Sequence, residues 1–246
     1  MSKIKLIALD MDGTLLNELE EITDYTKDMI KQAEQAGIHV VISTGRPLAT
    51  CISYVSDLEL SSYVITSNGA EIYTTDEELI EQHIMHPEKM EQLWHIGNNR
   101  GLTMWMLASD AVFVQGRRPS DFSEHDWLKI GYDHLDEEDR LYVKEQLRQV
   151  QDLEVTNSTP MNFEVNEKGV NKAEGLRTLC KKLNITMDEV MAVGDSLNDF
   201  KMINEVGIGI AMGNAQEEIL EIADYVTLTN REDGVAEAIK KYALDK

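Results

Sequence analysis

Ile4 to Leu9 is a short, mostly apolar run, and a helical period follows it, with Ile22, Tyr25, Met29, Ile30 and Ala33 on one face and Gly37 as the stop. This predicts a strand and then a helix over Asp24 to Ala36. His39 to Ser43 is rich in β-branched residues and predicts a second strand, Pro47 to Val55 a helix, and Tyr63 to Thr66 a third strand. The alternation resumes near the C-terminus. A helix is predicted from Lys172 to Leu183, a strand from Val190 to Val193 and a helix from Asp199 to Asn204. A strand over Gly207 to Ala211, a helix over Glu217 to Ile222, a strand over Tyr225 to Leu228 and a helix over Gly234 to Tyr242 complete it. Such βαβ repetition reads as an α/β fold, a Rossmann-like parallel sheet covered by helices.

The middle of the chain breaks this rhythm. Met104 to Leu107 and Ala111 to Val114 suggest short strands, Pro87 to Asn99 and Asp136 to Val150 suggest helices, and Trp94, Trp105 and Trp127 all fall there. With connectors at Asp76 to Glu81 and Asn166 to Gly169, the expected organisation is a core of 1–81 and 166–246 with an α+β domain, 82–165, inserted in it.

Composition narrows the function. The chain has 246 residues, 42% hydrophobic and 28% charged, enough to bury a sizeable core. Its formal charge is −22, and so negative a surface repels phosphate backbones and anionic lipids, so nucleic acid and membrane are not expected partners. The apolar stretch Leu6 to Leu9 is too short for a signal peptide and no run is long enough to span a bilayer, which points to the cytoplasm. Cys51 and Cys180 are isolated and read as buried small apolar residues.

Three strand ends carry the candidate chemistry. The first strand runs into Asp10-Met11-Asp12-Gly13-Thr14, which delivers two carboxylates to the carboxyl edge of the sheet, where open α/β folds place their ligands. A calcium loop would need another acidic or amide residue before its glycine, so that reading fails on spacing. The second strand ends in Ser43-Thr44-Gly45-Arg46, a hydroxyl and a glycine that suit a phosphate at a helix N-terminus, although a hydroxyl there is also an ordinary N-cap. Gly194-Asp195-Ser196-Leu197-Asn198-Asp199 follows the strand at Val193, with Asp195 and Asp199 spaced to share a helical face. Acids converging on one edge repel each other unless a cation lies between them, and Mg2+ held by Asp10 and Asp195 would serve. An anionic substrate in so acidic a protein also needs a local cation, for which Lys172 and Arg46 are candidates.

These segments, in this order, resemble the haloacid dehalogenase superfamily. Asp10 to Thr14 matches its DxDGT motif, Ser43 to Arg46 its hydroxyl motif, Lys172 its lysine and Gly194 to Asp199 its GDxxND motif, and the insert is similar to the cap of the Cof-like (IIB) phosphatases. The resemblance implies an enzyme, a Mg2+-dependent phosphatase of small phosphorylated metabolites such as sugar phosphates. Asp10 would form an aspartyl-phosphate and Asp12 would serve as general acid and then base. It further implies that the Asp12 carbonyl joins Asp10 and Asp195 at the metal, with Asp199 supporting the metal and Lys172. Thr44 and Gly45 would bind the phosphoryl group, Lys172 would neutralise it and Asn198 would help hold it. A hexose phosphomutase of the same superfamily and a non-catalytic phosphometabolite-binding regulator remain as alternatives. Arg117-Arg118-Pro119 reads as an exposed turn, and His83 and His86 lack the further ligands that a metal site needs.

Overall fold

The computed structural model of the chain describes residues 4–114 and 117–245, which form two compact units, one running to Glu81 and resuming at Lys172, the other Gln82–Asn171. Elements are numbered along the whole chain. The first unit contains β1 (Leu6–Leu9), β2 (His39–Ser43), β3 (Tyr63–Thr66) and β4 (Glu71–Thr74), with β5 (Leu79–Gln82) at its edge, and then β11 (Val190–Gly194), β12 (Ile208–Ala211) and β13 (Tyr225–Val226). Their order in one eight-stranded sheet is β13-β12-β11-β1-β2-β3-β4-β5. The strands from β13 to β3 run parallel, and β4 turns back antiparallel on β3.

Parallel strands buried on both faces should be apolar throughout, and Leu6, Ile7, Ala8 and Leu9 of β1 are all fully buried. Ile7, Leu9, Val40, Ile42 and Val193 pack with Met29, Ile30 and Ala33 of α1 (Asp24–Gln35), Cys51 and Val55 of α2 (Leu48–Asp57) and Val235 of α8 (Gly234–Ala238). On the opposite face Leu6, Ala8, Val41 and Ala192 meet Leu176, Leu179 and Cys180 of α5 (Lys172–Leu183) and Met202 of α6 (Phe200–Glu205). α7 (Glu217–Ile222) lies between β12 and β13 in the chain. The sequence moves outward from β1 to β2 and β3, then returns to fill the other side with β11 and β12. The carboxyl ends of β1, β2 and β11 therefore surround a topological switch point, the usual ligand site of such sheets.

The second unit is an antiparallel sheet of five strands, β6 (Thr103–Ala108), β7 (Val112–Phe113), β8 (Trp127–Asp133), β9 (Leu153–Thr156) and β10 (Phe163–Glu167), in the order β7-β6-β8-β10-β9. Met104, Met106, Ile130, Tyr132 and Val165 on one face pack with Met90, Leu93 and Trp94 of α3 (Pro87–Asn98) and Val143 and Leu147 of α4 (Glu137–Leu147). The opposite face carries Trp105, Lys129 and Glu164, and Lys129 is buried with its Nζ 2.7 Å from Glu164 Oε2. Strand β8 was not expected from the sequence, although Leu128, Ile130 and Tyr132 alternate along it with Lys129, Gly131 and Asp133. Strands β9 and β10 were also missed, and the boundary expected at 166 falls inside β10, which remains with the second unit. Among the described residues no helix is long and apolar enough to cross a membrane.

Candidate active site

Leu9 pairs with Ile42 and with Val193, so Asp10 emerges beside Ser43 on one flank and Gly194 on the other. Its N–H donates to Val193 O at 3.0 Å, and the chain then turns through Met11–Leu15, closed by Leu15 N to Asp10 O at 3.2 Å. Gly13 makes this turn possible. Its φ is +78°, and a Cβ there would stand 2.5 Å from Asp195 Oδ2, so both the backbone and the close approach require glycine.

Lys172 opens α5 and is fully buried, with its Nζ 2.5 Å from Asp10 Oδ1 and 2.7 Å from Asp199 Oδ1. Asp199 Oδ2 accepts from the N–H groups of Asp195 and Ser196 at 3.0 and 3.2 Å. The expected sharing of a helical face by Asp195 and Asp199 is thereby corrected. Asp199 folds back to satisfy the free N–H groups of its own turn, because helical geometry begins only after Asp195. Asp195 accepts from Thr14 Oγ1 on Oδ1 and from Ser196 Oγ on Oδ2, both at 3.0 Å.

Burial, followed by repulsion from Asp199, raises the Asp10 carboxyl well above its ordinary range, with Lys172 pulling in the opposite direction. The same two causes push Asp195 up to about 7. Lys172 is held above its ordinary value: burial opposes its charge, but Asp10 and Asp199 outweigh it. Oxygens of Asp10, Asp195 and Asp199 lie within 4.8 Å of one another. Three carboxylates facing one ammonium leave two uncompensated negative charges on an all-oxygen donor set. That fits a hard divalent cation such as Mg2+. All three carboxylates already have partners: Asp199 has Lys172 and two backbone N–H groups, Asp195 has the Thr14 and Ser196 hydroxyls, and Asp10 has Lys172 on Oδ1.

On the other flank, Thr44 Oγ1 accepts from Arg46 N at 3.1 Å, with Gly45 between them. These residues do not cap α2, whose N-cap is Pro47. A segment the sequence reading overlooked supports this turn. Ser67, Asn68 and Gly69 all have left-handed φ values of 53°, 61° and 98°, and the N–H groups of Ser67 and Asn68 donate to Arg46 O and Thr44 O, each at 3.0 Å. Asn198 Nδ2 reaches Asn68 Oδ1 at 3.4 Å, while Asn198 Oδ1 and Ser43 Oγ are buried without a hydrogen-bond partner. Buried polar atoms left open at a strand edge are suited to a polar ligand. An Asn-Gly pair directly after a strand was the available signal.

Asp12 stands apart from the carboxylate cluster. Its side chain is 52% exposed and accepts from Arg46 Nε at 2.9 Å and Nη2 at 2.5 Å. Arg46, a candidate cation for an anionic substrate, is thus paired with Asp12. Burial pushes the Cys51 thiol up to about 12 and raises Cys180, as expected for inert core residues.

The family model for haloacid dehalogenase-like hydrolases matches residues 7–141 and 117–239. The chain is 47% identical over 241 residues to the 5-amino-6-(5-phospho-D-ribitylamino)uracil phosphatase YcsE of Bacillus subtilis (strain 168), covering 98% of this chain and 96% of that protein. Its fold is similar to a haloacid dehalogenase-like hydrolase from B. subtilis, with a TM-score of 0.90, 29% identity and coverage of 97% of this chain and 100% of the other. It is also similar to the HAD subclass IIB sugar phosphatase BT4131, with a TM-score of 0.87, 26% identity and coverage of 98% and 100%. The strand-end motifs, the switch-point geometry and these likenesses agree, and the chain belongs to the haloacid dehalogenase-like hydrolases, on their phosphatase branch.

Proposed function

We propose that the chain is a Mg2+-dependent phosphatase that hydrolyses a primary phosphate on a sugar or sugar-alcohol chain through an aspartyl-phosphate on Asp10. The observation that carries this reading is the buried Asp10 carboxylate, held by Lys172 on one oxygen and facing Asp195. An Asp10 oxygen attacks phosphorus as the bond to the leaving oxygen breaks, and Asp12 gives that oxygen its proton. Water then attacks the phosphorus, Asp12 takes the water's proton, and the bond to Asp10 breaks to release inorganic phosphate. Thr44 and Gly45 bind the phosphoryl oxygens, Asn198 helps hold them, and Lys172 offsets their charge while keeping Asp10 oriented. Mg2+, when held by Asp10, Asp195 and the Asp12 carbonyl with Asp199 in support, supplies electrostatic stabilisation of the phosphoryl oxygens. Asp10, Asp195 and Asp199 form the carboxylate cluster that supports this part of the reading.

The substrate follows from the relative that shares 47% of the sequence and is named for a 5-phosphoribityl compound. We place 5-amino-6-(5-phospho-D-ribitylamino)uracil first, ahead of simple pentose and hexose phosphates. The test is inorganic phosphate release from these compounds with and without Mg2+, with Asp10→Asn as the blank. Metal-dependent release that disappears in Asp10→Asn is expected. Undiminished release by that variant would remove Asp10 from the chemistry, and faster turnover of hexose phosphates would overturn the substrate ranking.

A further inference from the structure

Asp12 and Arg46 come from different strand ends but meet as a fork. Arg46 Nε lies 2.9 Å from Asp12 Oδ2, and Nη2 lies 2.5 Å from Oδ1. The fork is itself braced. Glu20 lies 3.5 Å from Arg46 Nη2, the Tyr54 ring centroid is 5.9 Å from the guanidinium carbon, and the Tyr54 hydroxyl donates to Glu20 O at 3.2 Å. The Arg46 backbone belongs to the Thr44 turn, donating to Thr44 Oγ1 and accepting from Ser67 N. An exposed aspartate rotates freely about its side-chain bonds. Two parallel N–H bonds from a rigid guanidinium fix both the position and the plane of its carboxylate.

We propose that Arg46 is a positioning residue for Asp12, tying the acid–base group to the loop that presents Thr44 and Gly45. This inference rests on the reading of Asp12 as the acid and base. Arg46 has its guanidinium committed to carboxylates and acts on the reaction through Asp12, not by binding the phosphoryl group.

The test compares kcat and KM for D-ribose 5-phosphate and p-nitrophenyl phosphate in wild type, Arg46→Met, Arg46→Lys, Asp12→Asn and the Asp12→Asn/Arg46→Met double variant. Misplacing a catalytic group by an ångström lowers rates by about 100-fold, so Arg46→Met should lower kcat on that order with KM unchanged. Arg46→Lys keeps the charge but loses the fork, and should remain impaired. In the Asp12→Asn background, Arg46→Met should have no further effect. A raised KM with kcat retained would make Arg46 a phosphate ligand and overturn the proposal. So would a wild-type rate in Arg46→Lys, or an equal loss in both backgrounds. A wild-type rate in Asp12→Asn would instead remove the acid–base reading itself. Thermal unfolding shows which variants fold, and if Arg46→Met does not, the Arg46→Lys and Asp12→Asn/Arg46→Lys pair makes the same comparison.

Discussion

Asp195 shows how a residue of the candidate site works against the fold that carries it. Its carboxyl is pushed up to about 7 by burial and by Asp199, so it binds its proton more tightly folded than unfolded. Its contribution to stability is therefore complete below the ordinary aspartate value and is lost as pH rises toward 7. A divalent cation replaces that proton and reverses the loss. The rise in Tm on adding Mg2+ should accordingly be larger at pH 8 than at pH 5.5. Asp195→Asn should raise the metal-free Tm at pH 8 and abolish the response to Mg2+. Thermal unfolding across pH checks both, and a Mg2+ response that persists in Asp195→Asn would exclude this carboxylate as a ligand. At this scale the motifs were readable because each is contiguous. The pairing of Asp12 with Arg46 was not, since nothing in the spacing of residues 34 apart brings them together.

Single elements carry the next level of constraint. In the second unit, Gly131 of β8 lies across from Trp105 of β6, and a Cβ on Gly131 would meet the indole ring at 2.2 Å. Glycine here makes room for an aromatic ring on a cross-strand neighbour. Gly131→Ala should therefore overpack the sheet and destabilise it by about 1–3 kcal/mol. Combining it with Trp105→Ala should cost less than the sum of the single changes. Denaturant midpoints measured at unchanged m-value test this, and strict additivity would show that the two side chains do not compete for space. The period of two in Leu128, Ile130 and Tyr132 was present in the sequence. What the sequence does not explain is a lysine and a glycine on the other face of a buried strand, and both make sense only beside Glu164 and Trp105 on neighbouring strands. The Ser67-Asn68-Gly69 turn was missed because its left-handed backbone is supported by bonds to Thr44 and Arg46 from another loop.

For the molecule as a whole, a net charge of −22 is a long-range term that no single contact reveals. Self-repulsion opposes the compact state and is screened over about 10 Å at 0.1 M salt. Tm should rise between low ionic strength and 0.5 M NaCl in the absence of divalent metal. A Tm that falls over this range would show that attractive surface pairs, such as Lys27 with Asp57, outweigh the net repulsion. The sequence by itself determined the α/β class, the parallel strands and the helices of the first unit, though not its edge strands β4 and β5, and the residues of the four motifs. Those features depend on local periodicity and on neighbours close in the chain. Only the tertiary structure decided that Lys172 lies between Asp10 and Asp199, that Asp199 is spent on its own turn, and that Asp12 is held by Arg46. Tertiary structure likewise decided the order in which the second unit's strands pair. Each of these depends on strand order and on which oxygen a distant donor can reach, and both are fixed only when the sheet brings separated segments to a common edge.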